Sequence, residues 1–209
     1  MPQFNYQGKQ VRWVGNYTGS FGVINDGLFY EQPFLEAVRD LNLGGTFLDI
    51  GSNVGTHAVY FGLFCAERVI GFEPVERWRR HAQMNVDANG LSDRVEILPD
   101  GLADTEAAIP FDIAGPGTLL QCRRLDDVLP DLSGVTFVKM DIEGCEPRAL
   151  RGGREFFLRN SPVIAAEVLG SPDELSAAAE SIGYRLTGHI FPSTPGSPMY
   201  ELRANNHSR

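Results

Sequence analysis

Short apolar runs alternate with stretches of helical length along most of this chain, and that alternation constrains its fold more than any other feature. "TFLDI" (46–50) precedes "THAVYFGLFC" (56–65), and "RVIGFEP" (68–74) precedes "ERWRRHAQMNVDANG" (76–90). "RVEILP" (94–99) leads into a loop-rich region from Asp100 to about Arg123. "VTFVKMDIEG" (135–144) precedes "EPRALRGGREFFLRN" (146–160), and "PVIAAEV" (162–168) precedes "SPDELSAAAESIG" (171–183). Strands separated by helices pair in parallel, with helices on both faces of the sheet. The near-continuous apolar character of the strands agrees, since parallel strands are buried on both sides. "YRLTGHI" and "MYELRA" have only the turn-rich "FPSTPGSP" between them and are expected to form an antiparallel edge hairpin. Residues 1–45 precede the first core strand and carry an aromatic, glycine-rich stretch, then a helix around 32–42. They read as a lid or edge segment on the same domain as 46–209.

A chain of 209 residues fits one domain and buries a sizeable core without staples. The formal net charge of −9 argues against a general nucleic-acid binder, which needs clustered positive charge. "ERWRR" (76–80) is the densest basic run and reads as a solvated helix face. Three cysteines without CxxC spacing disfavour a disulfide framework or a zinc site and suit a reducing cytoplasm. No apolar run approaches the roughly 20 residues that span a bilayer. A cytoplasmic protein without membrane or nucleic-acid partners is therefore expected, and its oligomeric state stays open.

In such sheets, ligands bind at the carboxyl ends of the strands, near the point where strand order reverses. "DIGSNVG" lies where the first core strand hands over to its helix. Gly51 allows a tight turn, Gly55 opens the helix, and Asn53 tolerates left-handed dihedrals. The dinucleotide fingerprint GxGxxG does not match, and the spacing fits D-x-G-x-G-x-G, the loop of methyltransferases that use S-adenosylmethionine. Glu73 ends the second strand, 18 residues after Gly55, where a carboxylate can accept both ribose hydroxyls. Such an acid also serves nicotinamide enzymes, so alone it indicates an adenosine-type cofactor. Asp100, with Gly101 after the third strand, either accepts from the adenine amino group or forms a turn. Asp49 either lines the cofactor or satisfies loop amides.

"FLDIGSNVG", "VIGFEPVERWRRHAQMNVDANG", "RRLDDVL", "VTFVKMDIEGCEPRALRGG" and "VIAAEV" resemble, in order and spacing, the FkbM family of methyltransferases over residues 31 to 168. The K-x-D-x-E-G-x-E block is the most specific part of the match. The resemblance implies an α/β class I methyltransferase (Rossmann-like) fold, a seven-stranded sheet with only the last strand antiparallel. It also implies S-adenosylmethionine as cofactor and methylation of a hydroxyl in natural-product or glycan biosynthesis, antibiotic biosynthesis included. By position, Asp49, Gly51, Asn53 and Gly55 would line the methionine and ribose end, and Glu73 the ribose. The Gly/Pro-rich segment after Asp104 and His57 depart from the family pattern, which leaves the acceptor open.

In an extended strand Lys139, Asp141 and Glu143 share one face. Three charges there require partners. An aliphatic hydroxyl needs its proton accepted as it attacks a methyl group. Asp141 is the first candidate for that base, or for the group that orients the hydroxyl, with Glu143 and Glu167 in support. His57, in the first turn of the helix after the loop, is a second candidate or a packing residue. Asp141, Glu143 and Glu167 could instead gather a Mg²⁺ that holds substrate oxygens, or form an ion network with Lys139 that only fixes the strand end. Tyr17, Phe21, Phe29 and Tyr30 are lid or core residues. The expected function is O-methyl transfer to a small hydroxylated metabolite of sugar, nucleoside or polyketide type. The alternatives are an NAD(P)-dependent oxidoreductase and a cofactor-binding relative without turnover.

Overall fold

The computed structural model describes residues 2–169, 171–194 and 196–205. An antiparallel hairpin, β1 (Gln3–Tyr6) and β2 (Lys9–Arg12), is followed by a 3-10 segment at Gly19–Asp26 and by α1 (Gln32–Asp40). Then come β3 (Thr46–Ile50), α2 (Thr56–Phe64), β4 (Arg68–Phe72), α3 (Glu76–Ala88) and β5 (Val95–Leu98). The stretch expected to be loop-rich carries β6 (Gly101–Leu102), β7 (Ala107–Pro110) and β8 (Leu119–Arg123), which form a small separate sheet. Its pairing sets Ile109 opposite Leu120. The chain continues with α4 (Leu125–Val128), β9 (Val135–Met140), α5 (Glu146–Gly152), α6 (Arg154–Asn160) and β10 (Val163–Glu167). It closes with α7 (Asp173–Ser181), β11 (Tyr184–Phe191) and β12 (Met199–Ala204).

The main sheet has seven strands in the order β11-β12-β10-β9-β3-β4-β5. β10, β9, β3, β4 and β5 run parallel, and β12 is antiparallel to both its neighbours. The closing hairpin is thus not simply added at the edge: its second strand inserts between β10 and β11. Successive strands step outward on one side from β3 to β5, and the chain then returns to β9 on the other side of β3. The reversal falls between β3 and β9, so their carboxyl ends splay apart and leave a crevice.

Each face of the sheet has its own apolar cluster. Phe47, Phe137 and Ala165 pack with α2, α3 and the N-terminal segment. Leu48, Ile50, Val138 and Met140 pack with α5, α6 and α7. Residues before β3 add Val11, Trp13, Ile24 and Phe34 to the first cluster. Tyr17 and Phe29 also lie in it, while the rings of Phe21 and Tyr30 pack at a tilt, 4.6 Å apart, beside the crevice. Helix α3 stops where a glycine can take over, with Gly90 left-handed at φ 65° just beyond the end. At α7, Pro172 is itself the capping residue, and Ser171 Oγ accepts from Asp173 N at 3.3 Å.

Candidate active site

The period-two pattern that keeps strands buried also decides which polar groups meet. Parallel register sets Asp49 on β3 beside Lys139 on β9 and opposite Gly71 on β4. All lie on the face that packs against α2. Lys139 is almost wholly buried. Its Nζ donates to Gly51 O at 2.9 Å and lies 3.4 Å from Asp49 Oδ1 and 3.3 Å from Asp141 Oδ2. Burial alone would neutralise the ammonium, but Asp141 and Asp49 outweigh it and hold the Lys139 pKa above its ordinary value. Asp141 is likewise kept ionised. Burial opposes its charge, yet Lys139 and a hydrogen bond with Glu167 leave its pKa low.

The strand ends at Met140, one residue before Asp141. Glu143 therefore does not continue the alternation. It turns left-handed at φ 57° with Gly144 at φ 90°, makes no ion pair with Lys139, and is exposed. This corrects the expectation of three charges on one strand face. The final acid of the block is architectural: Glu146 is buried, and its Oε1 accepts from Ile142 N at 2.7 Å. Among the described residues no three His, Cys, Asp or Glu side chains are grouped to hold a metal ion, so Asp141, Glu143 and Glu167 do not form the metal set considered from sequence. Asp141 is turned to Lys139 and Glu167, while Glu143 leaves on its own turn.

The loop after β3 is held from below. Gly51 N and Ser52 N both donate to Phe72 O at 3.0 Å, and Gly55 N donates to Ser52 O at 2.7 Å. Glu73, on the end of β4, accepts from Asn53 N at 2.9 Å and Val75 N at 2.7 Å. Burial pushes the Glu73 carboxyl up to about 7. Asn53 does adopt the left-handed conformation, at φ 48°. Gly51 is required by the neighbouring strand: a Cβ there would sit 1.9 Å from Asp141 O. Gly55 packs against α3, where a Cβ would come within 3.0 Å of Ala82.

A cavity of about 300 Å³ opens between the carboxyl ends of β3, β4 and β9. Gly51, Asn53, Glu73, Asp100, Gly101, His57, Asp141 and Glu143 line it, as does Glu167; Asp49 and Gly55 lie behind the wall. One end is apolar, formed by Phe72, Trp78, Leu102, Ile109, Phe111 and Leu120. The basic run of α3 is thus more than a solvated face, because Trp78 faces the cavity and Arg77 bonds Ala114 O at 2.9 Å. The other end holds Asp141, Glu143, Glu167, His57, Tyr30 and Ser197. Glu167 is raised to about 8 by burial and by the adjacent Asp141 charge. His57 is buried, stacked on Tyr30 at 5.8 Å and packed edgewise on Phe34. Burial, then the Lys139 charge, lowers its pKa and keeps it neutral. Tyr30, one of the aromatic residues read as lid or core, lines the cavity, whereas Trp78 and Ser197 carried no individual sequence signal for it.

The donor set fits S-adenosylmethionine better than a dinucleotide. The amides of Gly51, Ser52, Asn53 and Gly55 are spent within the protein, so they offer no cradle to a pyrophosphate. An apolar slot beside Asp100 suits an adenine ring, and the acidic end suits a cationic sulfonium and amine.

Comparisons with known proteins agree with this geometry. The family described as the methyltransferase FkbM domain matches residues 49–190, more than half of the chain. Among solved structures, the methyltransferase FkbM from Methylobacillus flagellatus KT superposes with a TM-score of 0.59 at 24% identity, covering 76% of this chain. This chain spans only 43% of that protein's length. TrmK of M. capricolum, solved with S-adenosyl-homocysteine, gives 0.55 at 13% identity, covering 84% of this chain and 70% of that one. The B. subtilis M1A22 tRNA methyltransferase TrmK gives 0.58 at 13% identity, covering 84% and 66%. No curated protein matches.

Proposed function

The chain belongs to the FkbM methyltransferase family, and on that premise we propose that it methylates a hydroxyl oxygen of a small metabolite. The observation that carries this reading is that the buried imidazole of His57 and the carboxylate of Asp141, 3.3 Å from Lys139 Nζ, line the same cavity. The cofactor, when bound, supplies an electrophilic methyl on a sulfonium sulfur. Asp49 and Lys139 would build the floor beneath it, Asn53 and Glu73 would bound the ribose end, and Asp100 with Gly101 would flank the adenine. Asp141 accepts a hydrogen bond from the acceptor hydroxyl and orients it. Its tie to Lys139 makes it a weak base, so the proton goes to a neighbour that is neutral at rest. Transfer to the acceptor would make the C–O bond and leave the C–S electron pair on sulfur. Holding acceptor and methyl in line supplies much of the rate enhancement.

The B. subtilis neighbour is a transfer-RNA methyltransferase, but the net charge of −9 supports a small acceptor over a polyanion. Three free cysteines, and no helix among the described residues long and apolar enough to cross a membrane, are compatible with a cytoplasmic site of action. Residues before β3 and residues 46–209 are proposed to work as one domain.

Calorimetric titration with S-adenosylhomocysteine and, separately, NAD tests the cofactor. Micromolar binding of the first and none of the second is expected, and binding of NAD alone would overturn the reading. A panel of hydroxylated sugars, nucleosides and polyketides with labelled cofactor then tests the acceptor class.

A further inference from the structure

His57 does not stand alone at the acidic end of the cavity. Its Nε2 is sealed from solvent, has no hydrogen bond of good geometry, and lies 3.4 Å from Glu31 Oε2. Both side chains are buried, at 4% and 7% exposure, so the contact is not screened by water. Glu31 is held there at a cost. It caps α1 from a left-handed conformation, φ 52° and ψ 38°, that a glutamate adopts only when its surroundings impose it. Its carboxylate is held by a residue distant in sequence. Thr194, in the turn between β11 and β12, donates to Glu31 Oε1 from its backbone N at 3.1 Å and from Oγ1 at 2.9 Å. One carboxylate oxygen is thereby pinned by Thr194, and the other is left for the imidazole.

A neutral imidazole carries one N–H and one lone pair. A carboxylate facing Nε2 selects the form with the proton on Nε2 and leaves Nδ1 as the acceptor. We propose that Glu31 is a positioning residue that fixes His57 in its Nε2–H tautomer, and that His57 Nδ1 takes the proton of the acceptor hydroxyl during methyl transfer. The inference rests on the methyltransferase reading above. As the hydroxyl oxygen bonds to the methyl carbon, the O–H electron pair stays on oxygen and the proton passes to Nδ1. The imidazolium so formed keeps its Nε2–H against the Glu31 carboxylate. The other charges facing the ring are Lys139 and Asp141 from β9 and its end, and Asp49 from β3. Burial, and after it the Lys139 charge, favours the neutral imidazole at rest, and Glu31 supports the charge that appears only in the reaction.

Long-range ¹H–¹⁵N spectra of histidine-labelled protein read the tautomer directly, with the His57 signal identified by its loss in His57→Gln. The wild type is expected to show Nε2–H. Glu31→Ala should lower the Nε2–H to Nδ1–H ratio roughly tenfold, the equivalent of one charged hydrogen bond. Glu31→Gln should preserve the ratio, because the amide oxygen still accepts, and it guards against a fold defect in the alanine variant. A wild-type Nδ1–H tautomer, or a ratio unmoved by Glu31→Ala in a folded protein, would overturn the positioning role. S-adenosylhomocysteine titrated into the same wild-type sample separates this from the parent reading. Absence of binding would sink the methyltransferase reading and the proton step with it, whereas binding with an unmoved ratio would sink the positioning role alone.

Discussion

The loops that leave β3 and β9 flank one crevice, yet they spend their polar groups in opposite ways. The first turns inward: four of its amides and the Glu73 carboxylate bond one another or the end of β4. The second leaves Asp141, Glu143 and, from the next strand, Glu167 facing the cavity. A loop whose hydrogen bonds close on themselves is rigid and presents shape. A loop whose charges are incompletely matched presents reactivity and depends on its neighbours to hold it. One side is suited to hold a cofactor, and the other to handle a proton.

The contrast breaks most severely at Lys139, the group the two loops share. Lys139→Met would leave Asp49 and Asp141 without their counter-charge and should cost about 3–5 kcal/mol in urea unfolding. If the loss is under about 1 kcal/mol, the ammonium does not tie the loops together. Asp141→Asn tests the reactive side. Turnover on any acceptor found should fall at least roughly a hundredfold, while calorimetric affinity for S-adenosylhomocysteine changes little.

Glu73 tests the rigid side through pH. Its carboxyl titrates near 7 in the folded protein, above its ordinary 4.5. Below the ordinary value both folded and unfolded forms are protonated. Between the two values only the folded form holds the proton, so stability falls as pH rises through this window. Unfolding curves at pH 4.5 and pH 7.5 should show a fall on the order of 1–3 kcal/mol from this group, absent in Glu73→Gln. An identical pH dependence in the variant would mean that Glu73 is ionised throughout. Smallest is the backbone effect at Glu143. Glu143→Gly should relieve the left-handed strain and stabilise by about 1 kcal/mol while slowing turnover. Destabilisation instead would show that the side chain packs against the loop.

The sequence made the sheet legible because buried parallel strands write themselves as apolar runs. The cavity floor was legible because Asp49, Asn53, Glu73 and Asp141 sit at strand ends with recognisable spacing. Glu143 was misplaced because nothing in "MDIEG" marks where pairing stops, and the strand ends a residue before Asp141. Glu73 had a reading as a ligand group but none as the clamp under the loop, since its partners are backbone amides that every residue carries. The small sheet over the cavity was read as loop because its strands are short and a Gly/Pro-rich turn interrupts them. The Glu31–Thr194 contact joins residues 163 apart, a separation no local pattern encodes.

The insertion of β12 between β10 and β11 also sets an order of events. β10 pairs with β9 on one side and must wait on the other for β12, which is made later. Until then its free edge is open to foreign strands. Thr194 precedes β12 by only a few residues and reaches Glu31 only when that hairpin has docked. During synthesis the acidic end of the cavity is therefore assembled after the loop that follows β3, so a nascent chain can hold that loop folded before it holds the proposed proton-transfer centre.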